Sequence, residues 1–207
     1  MNQPKNFQTI KKINESRLKE KSSIFIGRVL PICNFNEIDE ILAQIKKEFY
    51  DASHHCYAYK LIDGSLKFSD SGEPTGTAGI RILNAIEHFN LNNILVVVIR
   101  YFGGTKLGVG PLGKAYYICA FNTLETAEKI NKQGAKKIAL SLNFEQINIL
   151  YKVLNQYDGK IVSEEYGDLV LVECLIPIDK TKDFIIKIAD DSNGKIKSKV
   201  KKSIIYI

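Results

Sequence analysis

The chain has 207 residues, 45% of them hydrophobic, and a formal net charge of +6. That length suits one large or two small domains, and the composition is that of an ordinary globular protein, not a low-complexity or collagen-like one. The pI of about 9.0 favours phosphate-rich partners without proving them.

Four cysteines, Cys33, Cys56, Cys119 and Cys174, are widely spaced and form no CxxC pair. Neither a disulfide framework nor a zinc site is expected from such spacing. They read as free thiols of a cytoplasmic protein. The start, Met-Asn-Gln-Pro-Lys, is followed by no apolar run, so no secretory leader is expected. The longest apolar run, Ile94 to Ile99, is too short to span a membrane.

In chain order, residues 22–32 predict a first strand. Ile38, Ile41, Leu42, Ile45 and Phe49 then recur at helical spacing and predict an amphipathic helix. Residues 54–62 alternate, with His55, Tyr57, Tyr59 and Leu61 on one face and His54, Cys56, Ala58 and Lys60 on the other. Asp63-Gly64 signals a turn into a short strand through Leu66 and Phe68. A helix is expected from about Gly76 to Phe89, and a buried central strand over 94–101. A long helix follows from about Pro111 to Ile130, with Pro111 in its first turn.

The pattern changes near 131–135, where Gly134 reads as a linker. Domains are therefore expected over 1–134 and 135–207. The second reads as strand 136–142, helix 144–157 capped by Asn143, a hairpin of strands 160–166 and 169–176 around Gly167-Asp168, helix 179–191 and a last strand 195–207. That order, β-α-β-β-α-β, is the split βαβ of a ferredoxin-like domain. Lys195, Lys197, Lys199 and Lys201 alternate on the last strand. The row would either track a phosphate backbone or guard an edge strand, and edge protection is the favoured reading.

Nine of the 14 glycines lie between Gly64 and Gly113, seven of them in two loops. The first reads Asp70-Ser71-Gly72-Glu73-Pro74-Thr75-Gly76-Thr77-Ala78-Gly79. The second reads Arg100-Tyr101-Phe102-Gly103-Gly104-Thr105-Lys106-Leu107-Gly108-Val109-Gly110. Each precedes a helix, whose first N–H groups suit an anion. The alternative is that the glycines serve close packing. Gly108 and Gly110 do not complete a dinucleotide fingerprint, and no Gly-Lys-Ser/Thr phosphate loop follows.

The expected anion cleft comprises His54, His55, Asp70, Glu73, Gly76, Gly79, Arg100, Gly103, Gly104, Lys106 and Lys114. Arg100 and Lys106 are the expected phosphate contacts. Gly76, Gly79, Gly103 and Gly104 would let a ligand approach the backbone, while Asp70 and Glu73 would orient the basic groups. His54 and His55 point to opposite faces, so no metal site is expected, and no cofactor is implied. No Gly-x-Ser-x-Gly element or other nucleophile motif stands out, so binding is expected ahead of catalysis. Tyr57, Tyr59, Tyr101, Phe102, Tyr116 and Tyr117 either stack on bases or belong to the core, and the core is the favoured reading.

Three motifs, Ser53–Tyr59, Asp70–Gly79 and Arg100–Gly108, resemble those of the YigZ/Impact family. The resemblance is strong over about residues 17–130. It implies a first domain like the second domain of ribosomal protein S5 and a second like the ferredoxin-like C-terminal domain of elongation factor G. This chain departs from the family pattern at Ser69, Pro111 and Gly113-Lys114, with positive charge kept at Lys114. Eukaryotic members regulate translation through protein contacts and carry an extra RWD domain that has no counterpart here, so that partner function is not carried over. A dipeptidase label used for some members finds no metallopeptidase ligand set here.

The resulting expectation is a translation-associated protein that binds RNA or the ribosome through the first-domain cleft, with no membrane partner and no signal for oligomeric state. The alternative is an enzyme acting on a small phosphorylated or carboxylated metabolite in the same cleft. A protein-binding regulator would instead need an exposed apolar patch.

Overall fold

A computed structural model describes residues 4–207; the first three residues of the stretch weighed as a leader lie outside them. The fold is mixed α/β, with two antiparallel sheets and five α-helices among the described residues. The chain divides into a first unit, Phe7–Asn131, and a second that takes Lys132–Ile207 together with the residues up to Asn6.

The sheet of the first unit has the order β2-β3-β6-β4-β5, with β2 at Asn14–Glu20, β3 at Ser23–Pro31, β4 at His54–Lys60, β5 at Leu66–Ser69 and β6 at Ile94–Tyr101. Its central strand β6 is apolar without alternation because both its faces are covered. Val96 and Val98 pack under α2 (Gly79–His88) and α3 (Val109–Glu125). Leu95, Val97 and Ile99 pack against α1 (Asn36–Glu48) on the other side. The stripe Ile38, Leu42 and Ile45 of α1 is buried there, as helical spacing requires.

Pairing is antiparallel throughout this sheet. In β4 the two faces separate as alternation demands. Cys56 and Ala58 join the core under α2 and α3, while Tyr59, and Leu61 just beyond the strand, join the core under α1. Arg100 of β6 stands opposite His54 of β4 and Phe25 of β3. Directly opposed residues share a face, so all three lie on the α2/α3 side.

The second unit follows the order β7 (Lys129–Leu142), α4 (Ile147–Gln156), β8 (Lys160–Tyr166), β9 (Val170–Pro177), α5 (Thr181–Asp191) and β10 (Lys197–Tyr206). In its sheet β9 lies between β7 and β8, and β10 pairs β7. The β-α-β-β-α-β order is compatible with the ferredoxin-like arrangement. Leu150, Val153, Leu154, Phe184 and Ile188 of the two helices cover one sheet face. Gln146 Oε1 accepts the Asn143 N–H at 3.0 Å, closing the turn that enters α4. On β10, an edge strand, Lys197 and Lys199 face a groove of about 470 Å³, and Lys201 pairs with Glu173.

Four expectations need correction. Two strands precede the predicted first one: β1 (Asn6–Ile10), which pairs β7, and β2. The helix predicted to Ile130 stops at Glu125, where Lys129 Nζ donates to the carbonyls of Leu124 and Glu125. The predicted linker is no loop, because β7 runs through it from Lys129. Gly134 is there for closeness: a Cβ would lie 2.7 Å from the Lys5 carbonyl oxygen. The helix predicted from Gly76 starts at Gly79, because the preceding amides are turned onto Asp70. Among the described residues no helix is long and apolar enough to cross a membrane.

Candidate anion-binding cleft

The first glycine loop folds around its own aspartate. Asp70 accepts the N–H groups of Gly76 at 2.8 Å, Ala78 at 2.9 Å and Gly79 at 2.8 Å. Burial works against its charged form, but the amides of Gly76, Gly79 and Ala78 outweigh it and the pKa falls below the ordinary value. The donors at the start of α2 thus already hold an anion, and it belongs to the chain. Gly79 is required for packing, since a Cβ would lie 2.7 Å from the Ser69 nitrogen.

That folding carries Glu73 over the end of β6. Glu73 is 9% exposed and Arg100 only 5%. Arg100 Nη1 donates to Glu73 Oε1 at 2.6 Å, and Nη2 donates to Ser23 Oγ at 3.2 Å. The buried Tyr116 hydroxyl of α3 donates to the same carboxylate oxygen at 2.8 Å. Burial, then the Cys56 and Glu73 neighbours, push the Tyr116 hydroxyl far up, so it remains a donor. Burial also raises the Cys56 thiol to about 12, which makes it a poor nucleophile.

His54 lies beside this floor. Its Nδ1 is 3.0 Å from the Ser71 carbonyl oxygen, which only accepts, so Nδ1 carries the proton. Nε2 is then directed to Glu73 Oε1 at 3.8 Å. His55 is on the other face, with Nε2 3.0 Å from the Phe49 carbonyl oxygen.

The second loop behaves differently from the first. Phe102 N–H donates to Ser53 Oγ at 3.1 Å, and Gly103 N–H donates to Ser23 Oγ at 3.4 Å. A Cβ on Gly103 would lie 1.8 Å from the Ser22 carbonyl oxygen, so this glycine permits close backbone packing. Beyond it, Gly104 and Gly108 have φ of 83° and 85°, and nothing lies within 4 Å of a Cβ added at Gly104, Gly108 or Gly110. The first turn of α3 has neither a side-chain cap nor an acidic residue. Its positive end is left open.

These parts enclose a cleft of about 390 Å³ in the first unit. Its floor is His54, Glu73 and Arg100; Lys106 and Gly108 line it too, and Phe102, Leu107 and Leu112 supply much of the apolar wall. Of the expected site residues, the fold brings together His54, Glu73, Arg100 and Lys106. Gly103 and Gly104 belong to the loop that bounds the cleft. Asp70, Gly76 and Gly79 form the support beneath Glu73, while His55 and the exposed Lys114 are not among the lining residues. Ser23, which anchors Arg100, belongs to no motif in the sequence, and Ser53, which anchors the second loop, opens the first family motif without being among the expected site residues. Phe102, at 45% exposure, is the aromatic left open to solvent there, while Tyr116 is core.

The comparisons with known proteins agree with this architecture. Residues 21–124 match the Impact N-terminal domain. The IMPACT family member YigZ of Escherichia coli strain K12 is 32% identical over 85% of this chain and 88% of its own length. The IMPACT family member YvyE of Bacillus subtilis strain 168 is 28% identical over 90% and 87%. Protein IMPACT of Rattus norvegicus is 29% identical over 58% of this chain and 42% of its own length. A crystal structure of a hypothetical protein aligns with a TM-score of 0.70 and 28% identity, covering 97% of this chain and 100% of its own. The matched domain spans the β3-to-α3 frame that builds the cleft, and the bacterial relatives extend the match over both units: the chain belongs to the Impact family.

Proposed function

We propose that this protein acts in translation by binding RNA or the ribosome, and that the cleft of its first unit takes a phosphate group. The translational setting rests on the family resemblance. The observation that carries the binding mode is the second loop, where Lys106 and the uncapped start of α3 meet the exposed ring of Phe102 on one cleft. A cation and free amides suit phosphate, and an aromatic face suits a base. Arg100 supports the cleft from within, since its charge is already paired with Glu73.

The test is binding of RNA and of ribosomes across a salt series, for the wild type and for Lys106→Ala. Affinity should fall steeply with salt, and Lys106→Ala should weaken binding and reduce the salt slope by about one. Binding indifferent to salt and to Lys106 overturns the reading.

A second reading rests on His54, an imidazole that lines the cleft with its Nε2 3.8 Å from Glu73 Oε1. An imidazole in a cleft can move a proton, which fits an enzyme acting on a small phosphorylated or carboxylated metabolite. Thermal stabilisation by such a metabolite, without RNA binding, would select it.

A further inference from the structure

The lysine row of β10 opens onto the free face of the second unit's sheet. In register, Lys197 stands opposite Ser141 of β7 and Lys199 opposite Ala139. Ile138, Leu140 and Leu142 of the same strand join the helix-covered core, so by alternation the four residues lie on the other sheet face. Short side chains beside long ones hollow out the groove of about 470 Å³ there. Ala139 and Ser141 form its floor, and Lys197 and Lys199 one wall. Ser163 and Glu165 of β8, beyond β9, form the far wall.

This face is basic. Its Glu173 is already taken by Lys137 at 2.5 Å and Lys201 at 3.3 Å. Lys160 joins them, because it stands opposite Leu175, which in turn stands opposite Lys137. Five lysines against Glu165 and Glu173 leave the face a net charge of +3. Among the described residues Lys197 and Lys199 make no ion pair; Lys197 Nζ donates to the Gly194 carbonyl at 3.1 Å. Guarding an edge does not account for this charge. Lys137 is on an inner strand, and the register shift between Val200 and Ile204 already spoils β10 as a template for a further strand. Two copies of so basic a face would repel each other, whereas a phosphate backbone complements it.

Resting on the RNA reading above but not on its cleft, we propose that this face binds the phosphate backbone of double-helical RNA. Side chains two residues apart on a strand project about 7 Å apart, a spacing at which Lys197 and Lys199 meet successive phosphates of one strand. A duplex fits better than a single strand because none of the residues opposed across this face is aromatic. Splayed bases gain no stacking there, and a helix that keeps its bases inside forfeits none. The far wall supplies oxygen acceptors, from Ser163 and Glu165, to the 2′-hydroxyls that distinguish RNA from DNA.

The experiment measures anisotropy of a short RNA hairpin stem, the matching DNA stem and a single-stranded RNA with the full chain over a salt series. Lys197→Gln/Lys199→Gln should weaken binding of the RNA stem at least about tenfold and reduce its salt slope by about two. Ser141→Glu sets a carboxylate beside Lys197 without touching the edge strand, and should weaken the RNA stem likewise. Both variants should keep the wild-type unfolding temperature and the wild-type affinity for single-stranded RNA, while Lys106→Ala should leave the stem bound. The DNA stem should bind more weakly than the RNA stem. Unchanged binding of the RNA stem in both groove variants overturns this proposal and leaves the cleft reading standing. Equal affinity for the two stems also overturns it. So does a dimer in sedimentation that the glutamine variant dissociates, since the face would then belong to a second copy of the chain. Failure of every RNA and of ribosomes to bind overturns both readings.

Discussion

Arg100 Nη1 donates to Glu73 Oε1 across 2.6 Å, and both side chains are buried beneath the cleft. Removing one member leaves the other charge without compensation, which costs about 3–5 kcal/mol for a buried pair. Arg100→Met and Glu73→Gln should each lose about that much in urea unfolding. The double variant should lose clearly less than the sum, because it removes both charges; additive losses would show that the pair is not coupled. A binding defect in an Arg100 variant therefore reports on folding first, and Lys106 is the cleaner probe of the ligand.

Asp70 serves α2 as an N-terminal cap supplied from the preceding loop. Asp70→Asn should cost about 1–2 kcal/mol, the range for losing a cap. Its folded pKa lies below the ordinary 3.8. The stabilisation is therefore complete above that value and is lost as pH falls through the folded pKa. The difference in urea midpoint between wild type and Asp70→Asn should stay constant from neutral pH to about pH 5 and close at lower pH. A gap that persists unchanged into strong acid would count against the capping role.

His55 gives the pH response nearer neutrality. Burial lowers its pKa below the ordinary 6.5, the Phe49 carbonyl partly opposes this, and Lys46 and His54 add to the lowering. The neutral ring is the folded form. Its stabilisation is full above 6.5 and is lost as pH falls through the lowered folded value. In an NMR titration the His55 ring should protonate below pH 6.5, and His55→Gln should flatten the dependence of stability on pH in that window. Titration at or above the ordinary value would contradict this account.

Much of the fold is legible in local sequence, and the reasons are specific. Ile94–Ile99 reads as a buried strand because both its faces meet helices, and the α1 stripe reads as a helix because its spacing is helical. Strand β2, Asn-Glu-Ser-Arg-Leu-Lys-Glu, is hidden because an edge strand with one solvated face needs few apolar residues. The passage from α3 into β7 is hidden because Ile130 keeps a helical spacing that the fold does not use. At the cleft, residue types are legible but burial is not. Arg100 looks like a surface phosphate contact until Glu73, distant in sequence, closes over it. Asp70 looks like a ligand-orienting carboxylate, while the amides it takes are the ones a ligand was expected to use.

Adjacent glycines of the second loop should respond differently to the same change. Gly103→Ala sets a Cβ 1.8 Å from the Ser22 carbonyl oxygen, and backbone must move to admit it. A loss of about 2–3 kcal/mol is expected, the upper range for overpacking. Gly104→Ala meets no atom within 4 Å and bears only the strain of φ 83°, about 1–2 kcal/mol. Thermal unfolding should rank wild type above Gly104→Ala above Gly103→Ala, and the reverse order of the two variants would refute the packing argument.

His54, Arg100 and Phe25 are cross-strand neighbours on β4, β6 and β3. Side chains alternate along a strand, so sliding β4 by one residue would carry His54 to the α1 side and deliver a different residue to the cleft floor. The floor exists in one alignment of three strands that are far apart in the chain. It therefore has no partly assembled precursor: a folding intermediate with β3, β4 and β6 unpaired or misaligned holds no cleft. A single-residue insertion within β4 would be more damaging to ligand binding than most substitutions at the cleft itself.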